Sequence, residues 1–266
     1  MSLFFGCIKE KGLKASLYQS YFNYLMDYLK GKKGSRGTNK LLPLHGFIAK
    51  SIKEHLKENL KIDFDVFYLN GKEVEIDGEF SSKRVDIFIS MKGNYKIVRE
   101  TERKVKVYVK NPNLSFIFSV KFITSNYKQN SNNYFENLIG ECVNLKLKGF
   151  KFGHLLFLKY PLPYFDKEGK ITKFEEIEEK DILKYYKLFQ NRDKEFSPTF
   201  LFLGIYEIVH YYKNEKLEEK GKNIVEIAIK LENVSIKRIL PPSIKTKELI
   251  KFLSQPFCEF LDKLAS

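Results

Sequence analysis

The stretch Leu114-Ser115-Phe116-Ile117-Phe118-Ser119-Val120-Lys121-Phe122 decides how this chain is read. It is a run of aromatic and β-branched residues bounded by polar segments, the signature of a buried strand. Alternate positions on a strand face opposite ways. Phe116, Phe118, Val120 and Phe122 therefore share one face, and Ser115, Ile117, Ser119 and Lys121 share the other. An ammonium group at the end of such a strand is costly unless an opposite charge meets it. The segment Arg84-Val85-Asp86-Ile87-Phe88-Ile89-Ser90 supplies a candidate. If the two strands are neighbours, Asp86 and Lys121 meet on one face of a sheet.

Working outward, apolar residues at helical spacing predict a helix over 12–30 and another over 44–59. Between them, residues 31–39 read as a basic loop without the lysine-serine/threonine ending of a nucleotide-binding loop. Strands are predicted at 62–69, 73–80, 84–91 and 114–122, with a possible edge strand at 104–110. A polar loop over 124–133 leads to a helix at about 133–147, capped by Asn132 or Asn133. A strand over 154–160 follows, then a charged helix over 173–189. Residues 200–211 fit either strand or helix, 224–236 alternate as a strand, and 245–264 have helical periodicity. This order predicts an α/β (α+β) fold with one central mixed sheet flanked by helices. The 266 residues suit a single domain with a catalytic core at about 40–165. Residues 166–266 then add recognition or oligomerisation elements, with 200–236 assigned to recognition.

The net charge is +14, from 47 Lys and Arg against 33 Asp and Glu. Such a balance fits a polyanion partner, foremost nucleic acid, and equally the basic bias of a lysine-rich proteome. No apolar stretch has membrane-spanning length, and no secretory signal is visible, so a cytoplasmic protein is expected. Cys7, Cys142 and Cys258 are odd in number and unevenly spaced, and read as reduced thiols. The four histidines show no metal-ligand spacing, and His154, at the head of a core strand, reads as structural.

An aspartate and a lysine near a second carboxylate are the minimum for metal-assisted phosphodiester hydrolysis. Carboxylates hold Mg2+, and a lysine orients the nucleophile and offsets phosphate charge. Asp86, a long spacer, then Ser119-Val120-Lys121 resembles the PD-(D/E)XK nuclease pattern, over roughly residues 40–165. The chain departs from it at Ser119, where the pattern has an acidic residue, and it lacks the proline before Asp86. It is similar to a subgroup of type II restriction endonucleases with a Ser-x-Lys strand, whose missing carboxylate comes from the following helix.

That helix offers Glu136 and Glu141. At about 100° per residue its apolar stripe is Tyr134, Phe135, Leu138, Ile139, Cys142 and Leu145. Glu141 flanks the stripe beside Asn137 and Asn144, next to Gly140. Glu136 flanks the opposite side. The polar company favours Glu141, the subgroup's spacing from Lys121 favours Glu136, and Glu141 is placed first.

The resemblance implies a restriction-endonuclease-like fold and Mg2+-dependent cleavage of double-stranded DNA to 5′-phosphate ends. It also implies a homodimer or higher homo-oligomer. Asp86, Glu141 and Glu136 are the expected metal ligands, with Ser119 and Lys121 beside them. Asn126, Lys128, Gln129 and Asn130 are candidate DNA contacts, since amides suit adenine edges and lysine suits guanine or phosphate. Lys32, Lys33 and Arg36 in the basic loop are candidates for the DNA backbone. Glu54, and one of Glu73, Glu75 and Glu79, are weaker candidates for carboxylates one layer out from the metal. The competing readings are a structure-selective repair or recombination nuclease, and a DNA-binding protein whose site has decayed.

Overall fold

The computed structural model describes residues 8–30, 38–68, 72–191 and 193–265. Helices α1 (Ile8–Leu29) and α2 (Leu42–Leu60) come first. Pro43 sits in the first turn of α2, where a missing N–H costs nothing, and Lys61 closes the helix in the left-handed region. Strands β1 (Phe64–Tyr68), β2 (Glu73–Asp77), β3 (Ser82–Val85), β4 (Ile87–Met91), β5 (Tyr95–Glu100), β6 (Lys104–Val109) and β7 (Ser115–Ile123) follow. Then come helix α3 (Tyr127–Lys146), strands β8 (Lys151–Tyr160), β9 (Leu162–Phe165) and β10 (Ile171–Glu175), and helix α4 (Glu179–Gln190). The chain continues through β11 (Phe200–Tyr212), β12 (Glu215–Lys216), α5 (Ile224–Lys230), β13 (Asn233–Arg238), α6 (Lys247–Ser254) and α7 (Phe257–Ala265).

The central sheet is seven-stranded and mixed, in the order β1-β4-β7-β8-β11-β12 with β13 also on β11. β4 runs antiparallel to β7, whereas β8 runs parallel to both β7 and β11. A four-stranded sheet, β3-β2-β6-β5, and a β9-β10 pair stand beside it. The fold is the expected α/β type, a mixed sheet flanked by helices. Alternation of β7 divides the core. Phe116, Phe118 and Val120 join the cluster shared with α1, α2 and α7, and Ile117 and Ile123 join the cluster under α3, α4 and α6. Each fully buried side chain of this size contributes about 1.5–3 kcal/mol. Phe118 packs directly on Gly153 of the next strand, where a Cβ would stand 2.4 Å from its ring.

Several elements differ from the sequence reading. The strand expected at 84–91 is two strands in two different sheets, parted at Asp86. There the carboxylate, in place of a backbone carbonyl, accepts the Val120 N–H. Helix α3 starts at Tyr127, not near residue 133. Tyr127 is fully buried, and the Lys128 N–H is satisfied from a distance by Glu175, not by Asn132 or Asn133. Residues 173–189 begin as β10 and become helical at Glu179, after reciprocal bonds between Glu178 and Asp181. Residues 224–236 split into α5 and β13, because Asn223 caps Val225 and the pair Ile224 and Ile227 buries at helical spacing. Pro256 breaks the C-terminal helix into α6 and α7. Residues 200–211, which fitted either strand or helix, lie in β11, an interior strand of the central sheet paired with β8. Cys142 is free and buried as expected, but Cys258 is disulfide-bonded.

Candidate active site

β4 and β7 pair with Ile87 opposite Phe118, so the residues just outside that pair, Asp86 and Ser119, come side by side. Asp86 Oδ2 accepts the Val120 N–H at 2.8 Å and lies 3.4 Å from Lys121 Nζ. The opposite charge demanded by Lys121 is therefore Asp86. Helix α3 crosses this end of the strands and brings Glu141 into the same cleft, lined also by Lys83, Asp86, Ser119 and Lys121.

The electrostatics couple these groups. Burial pushes the Glu141 carboxyl up and Asp86 adds to the rise, while Lys121 and Lys83 oppose it. Burial alone would pull the Lys121 ammonium down, but Asp86 and Glu141 together outweigh it and its pKa is raised. Lys121 thus stays protonated at neutral pH. Ser119 Oγ is buried without a hydrogen bond of ordinary length, yet its hydroxyl lies near enough to Glu141 to restrain the rise in that carboxyl's pKa. Glu136 is exposed on α3 and does not line the cleft. At about 100° per residue, five positions separate the two glutamates by about 140° around the helix.

The cleft depends on how α3 meets the β2–β3 turn. Asn144, one turn beyond Glu141, accepts the Phe80 N–H at 2.8 Å and the Ser81 N–H at 3.1 Å, and donates to the Ser81 carbonyl at 3.0 Å. Its backbone carbonyl takes the Glu79 N–H. Gly78 allows this approach, since a Cβ there would stand 2.4 Å from the Asn144 amide. The helix carrying Glu141 is thereby fixed to the strand that leads into Asp86. Two buried histidines stand close to the Asp86–Lys121 pair. His154, level with Ser119 on β8, stacks on Tyr185, and burial first and Lys121 second depress its pKa to about 3. Burial likewise lowers His45 of α2.

No protein-family model matches this chain, and no curated protein matches it. Among solved structures it is similar to NucC. The cAAA-bound form of E. coli MS115-1 NucC aligns over 86% of this chain and 88% of that chain, at 7% identity and a TM-score of 0.37. The cAAA-bound form of P. aeruginosa ATCC27853 NucC aligns over 82% and 86%, at 7% identity and a TM-score of 0.35. Both likenesses are distant, and the site stands on its own residues.

The donor set suits a hard divalent cation. Two carboxylates converge, and the buried Ser119 hydroxyl beside them has hydrogen-bonding capacity left for a metal-bound water. Among the described residues there is no group of three or more His, Cys, Asp or Glu able to hold a metal alone. Mg2+ fits such a site, because it keeps several waters and is commonly bound by one or two carboxylates plus substrate phosphate.

The other candidates lie elsewhere. Asn126 adopts a left-handed conformation before α3, and its amide bonds both backbone groups of Phe165. Asn130 bonds the Asn126 carbonyl, and Lys128 is paired with Glu178. Gln129 alone of this group is exposed without a recorded side-chain bond among the described residues. Lys32, Lys33 and Arg36 lie outside the described residues. Glu54 is paired with Lys9 and Lys50, and Glu73, Glu75 and Glu79 with Arg84, Lys106 and Lys148. None of these glutamates lines the cleft. Sequence reasoning missed Lys83 as a cleft residue and Asn144 as the tie that sets it. The second had a signal, an amide one turn from Glu141 on the same side.

Proposed function

We propose that this protein is a Mg2+-dependent type II restriction endonuclease, a cytoplasmic homodimer that cuts double-stranded DNA and leaves 5′-phosphate ends. The observation that carries the proposal is the convergence of Asp86, Glu141 and Lys121 in one cleft at the junction of two sheets. Asp86 and Glu141 would hold the metal, and Glu136, exposed and outside the cleft, is set aside as a ligand. When bound, Mg2+ supplies a water of lowered pKa and offsets charge on the phosphate. Lys121, kept protonated by its carboxylate neighbours, acts as a cation and not as a base. It orients the attacking water and stabilises the negative charge that develops on the phosphate. Asp86, anchored by the Val120 N–H, keeps its position as Lys121 turns from it to the substrate. A homodimer follows from the chemistry, since one such site cuts one strand and a palindromic sequence matches two-fold symmetry.

Incubation with supercoiled plasmid and Mg2+ tests the reading. Discrete bands that vanish with chelator or in Lys121→Ala support it. A smear, or preference for branched over linear duplex, points to a structure-selective nuclease. Activity unchanged in Lys121→Ala defeats a catalytic role for the cleft.

A further inference from the structure

Lys83 and Arg84 are the charged cleft residues that the proposed chemistry leaves without a role. Lys83 sits on β3, opposite Ile76 of β2, and the chain reaches Asp86 immediately after that strand. Alternation along β3 puts Lys83 on the same side as Val85, which is buried under α3. Lys83 lines the cleft with Asp86, Lys121 and Glu141, half-buried, and its charge reaches Glu141. Among the described residues, none of the hydrogen bonds or ion pairs involves its ammonium. Its neighbour Arg84 differs: that guanidinium is held by both carboxylate oxygens of Glu73, at 2.9 and 3.1 Å. A half-buried lysine without a carboxylate partner, beside a site built for an anionic substrate, is a cation in reserve.

Charge balance gives it a purpose. Asp86 and Glu141 offset Lys83 and Lys121, and Glu73 offsets Arg84, so the metal-free cleft is close to neutral. A divalent cation raises it by two charges, the amount that a phosphodiester and an attacking hydroxide bring together. Without Lys83 the balance would be one charge short. We infer that Lys83 is a second direct phosphate contact in this cleft, delivered by the strand that leads into Asp86 and separate from Lys121. The inference rests on the nuclease reading and names a substrate contact that the Asp86–Glu141–Lys121 set does not include.

The test uses the full chain in chelator with a short fluorescein-labelled DNA duplex. Binding is followed by anisotropy across a range of KCl concentrations, beside plasmid cleavage in Mg2+. Each neutralised phosphate contributes about one unit to the slope of log affinity against log salt. Lys83→Gln is expected to lower that slope by about one and to slow cleavage by about 100-fold or more, an effect of the size found for one lost electrostatic contact. Lys83→Arg should keep the slope. Melting temperatures should match the parent, because Lys83 holds no structural partner. An unchanged slope in Lys83→Gln overturns the contact, whether or not cleavage falls. Failure of the nuclease reading looks different: Lys121→Ala and Glu141→Gln would then leave all activity as it was, whatever Lys83→Gln does.

Discussion

Replacing Asn144 by alanine should uncouple α3 from the strand that delivers Asp86. The side chain accepts two backbone N–H groups and donates to one carbonyl, at distances between 2.8 and 3.1 Å. Asn144 is only 4% exposed, so water cannot replace it freely. At about 1 kcal/mol net for each hydrogen bond, the loss is about 3 kcal/mol, with a further penalty wherever a backbone group is left dry. For a chain of this size that corresponds to a fall of roughly 6–12 °C in Tm. Urea unfolding with linear extrapolation reads the free energy, and calorimetry reads the midpoint. Asn144→Asp is the informative companion. It keeps the acceptor but sets a carboxylate oxygen against the Ser81 carbonyl, so it should be destabilised as well. Plasmid cleavage should fall in both, because Glu141 and Asp86 lose their common reference. A loss below about 1 kcal/mol in Asn144→Ala would refute the claim that this amide fixes the site.

Glu141→Gln should reduce Mg2+-dependent cleavage by at least about 100-fold, whereas Glu136→Gln should stay within about 2-fold; equal losses would return Glu136 to the metal. Lys121→Ala should abolish cleavage while leaving the fold intact, as near-UV circular dichroism would show, since its pairing with Asp86 is partly exposed to solvent. His154 predicts a pH dependence of stability. Its folded pKa, about 3, lies below the ordinary 6.5, so between these values the unfolded chain binds more protons. Stability should therefore fall as pH drops through that window, by up to about 1.4 kcal/mol per unit. His154→Leu should remove that share of the slope, leaving the shares of the other shifted groups, His45 and the depressed carboxylates Glu178 and Glu219 among them. Equal slopes in parent and variant would mean that His154 is hydrated in the native state.

β7 was legible because a long apolar run with a single terminal lysine has few alternatives. Charge suggested the Asp86 segment as its partner only on the condition that the strands are neighbours, and the β4–β7 pairing meets that condition. Glu141 was legible because helical phase does not depend on where the helix starts, so misplacing the start of α3 left the polar side intact. The switch of sheets at Asp86 was hidden, since it is made by the Val120 N–H, a partner 34 positions away in sequence. The α5–β13 split was hidden because Ile224–Ile236 satisfies both periods, and the decision lies with Asn223 and with packing against α1. Lys83 carried no signal among 47 basic residues. What distinguishes it is the absence of a carboxylate hydrogen-bonding partner among the described residues, which only three-dimensional placement reveals.

Asp86 has two occupations at once. One of its oxygens closes the seam between two sheets, as a backbone carbonyl would, while the side chain as a whole is the site's first acidic group. If the proposed nuclease function holds, a lineage that lost it would still be held to aspartate here by the need to fold. Persistence of Asp86 among relatives would therefore be poor evidence of activity. Glu141 closes no seam of this kind, so on the proposed reading its loss, not that of Asp86, would mark a descendant without the activity.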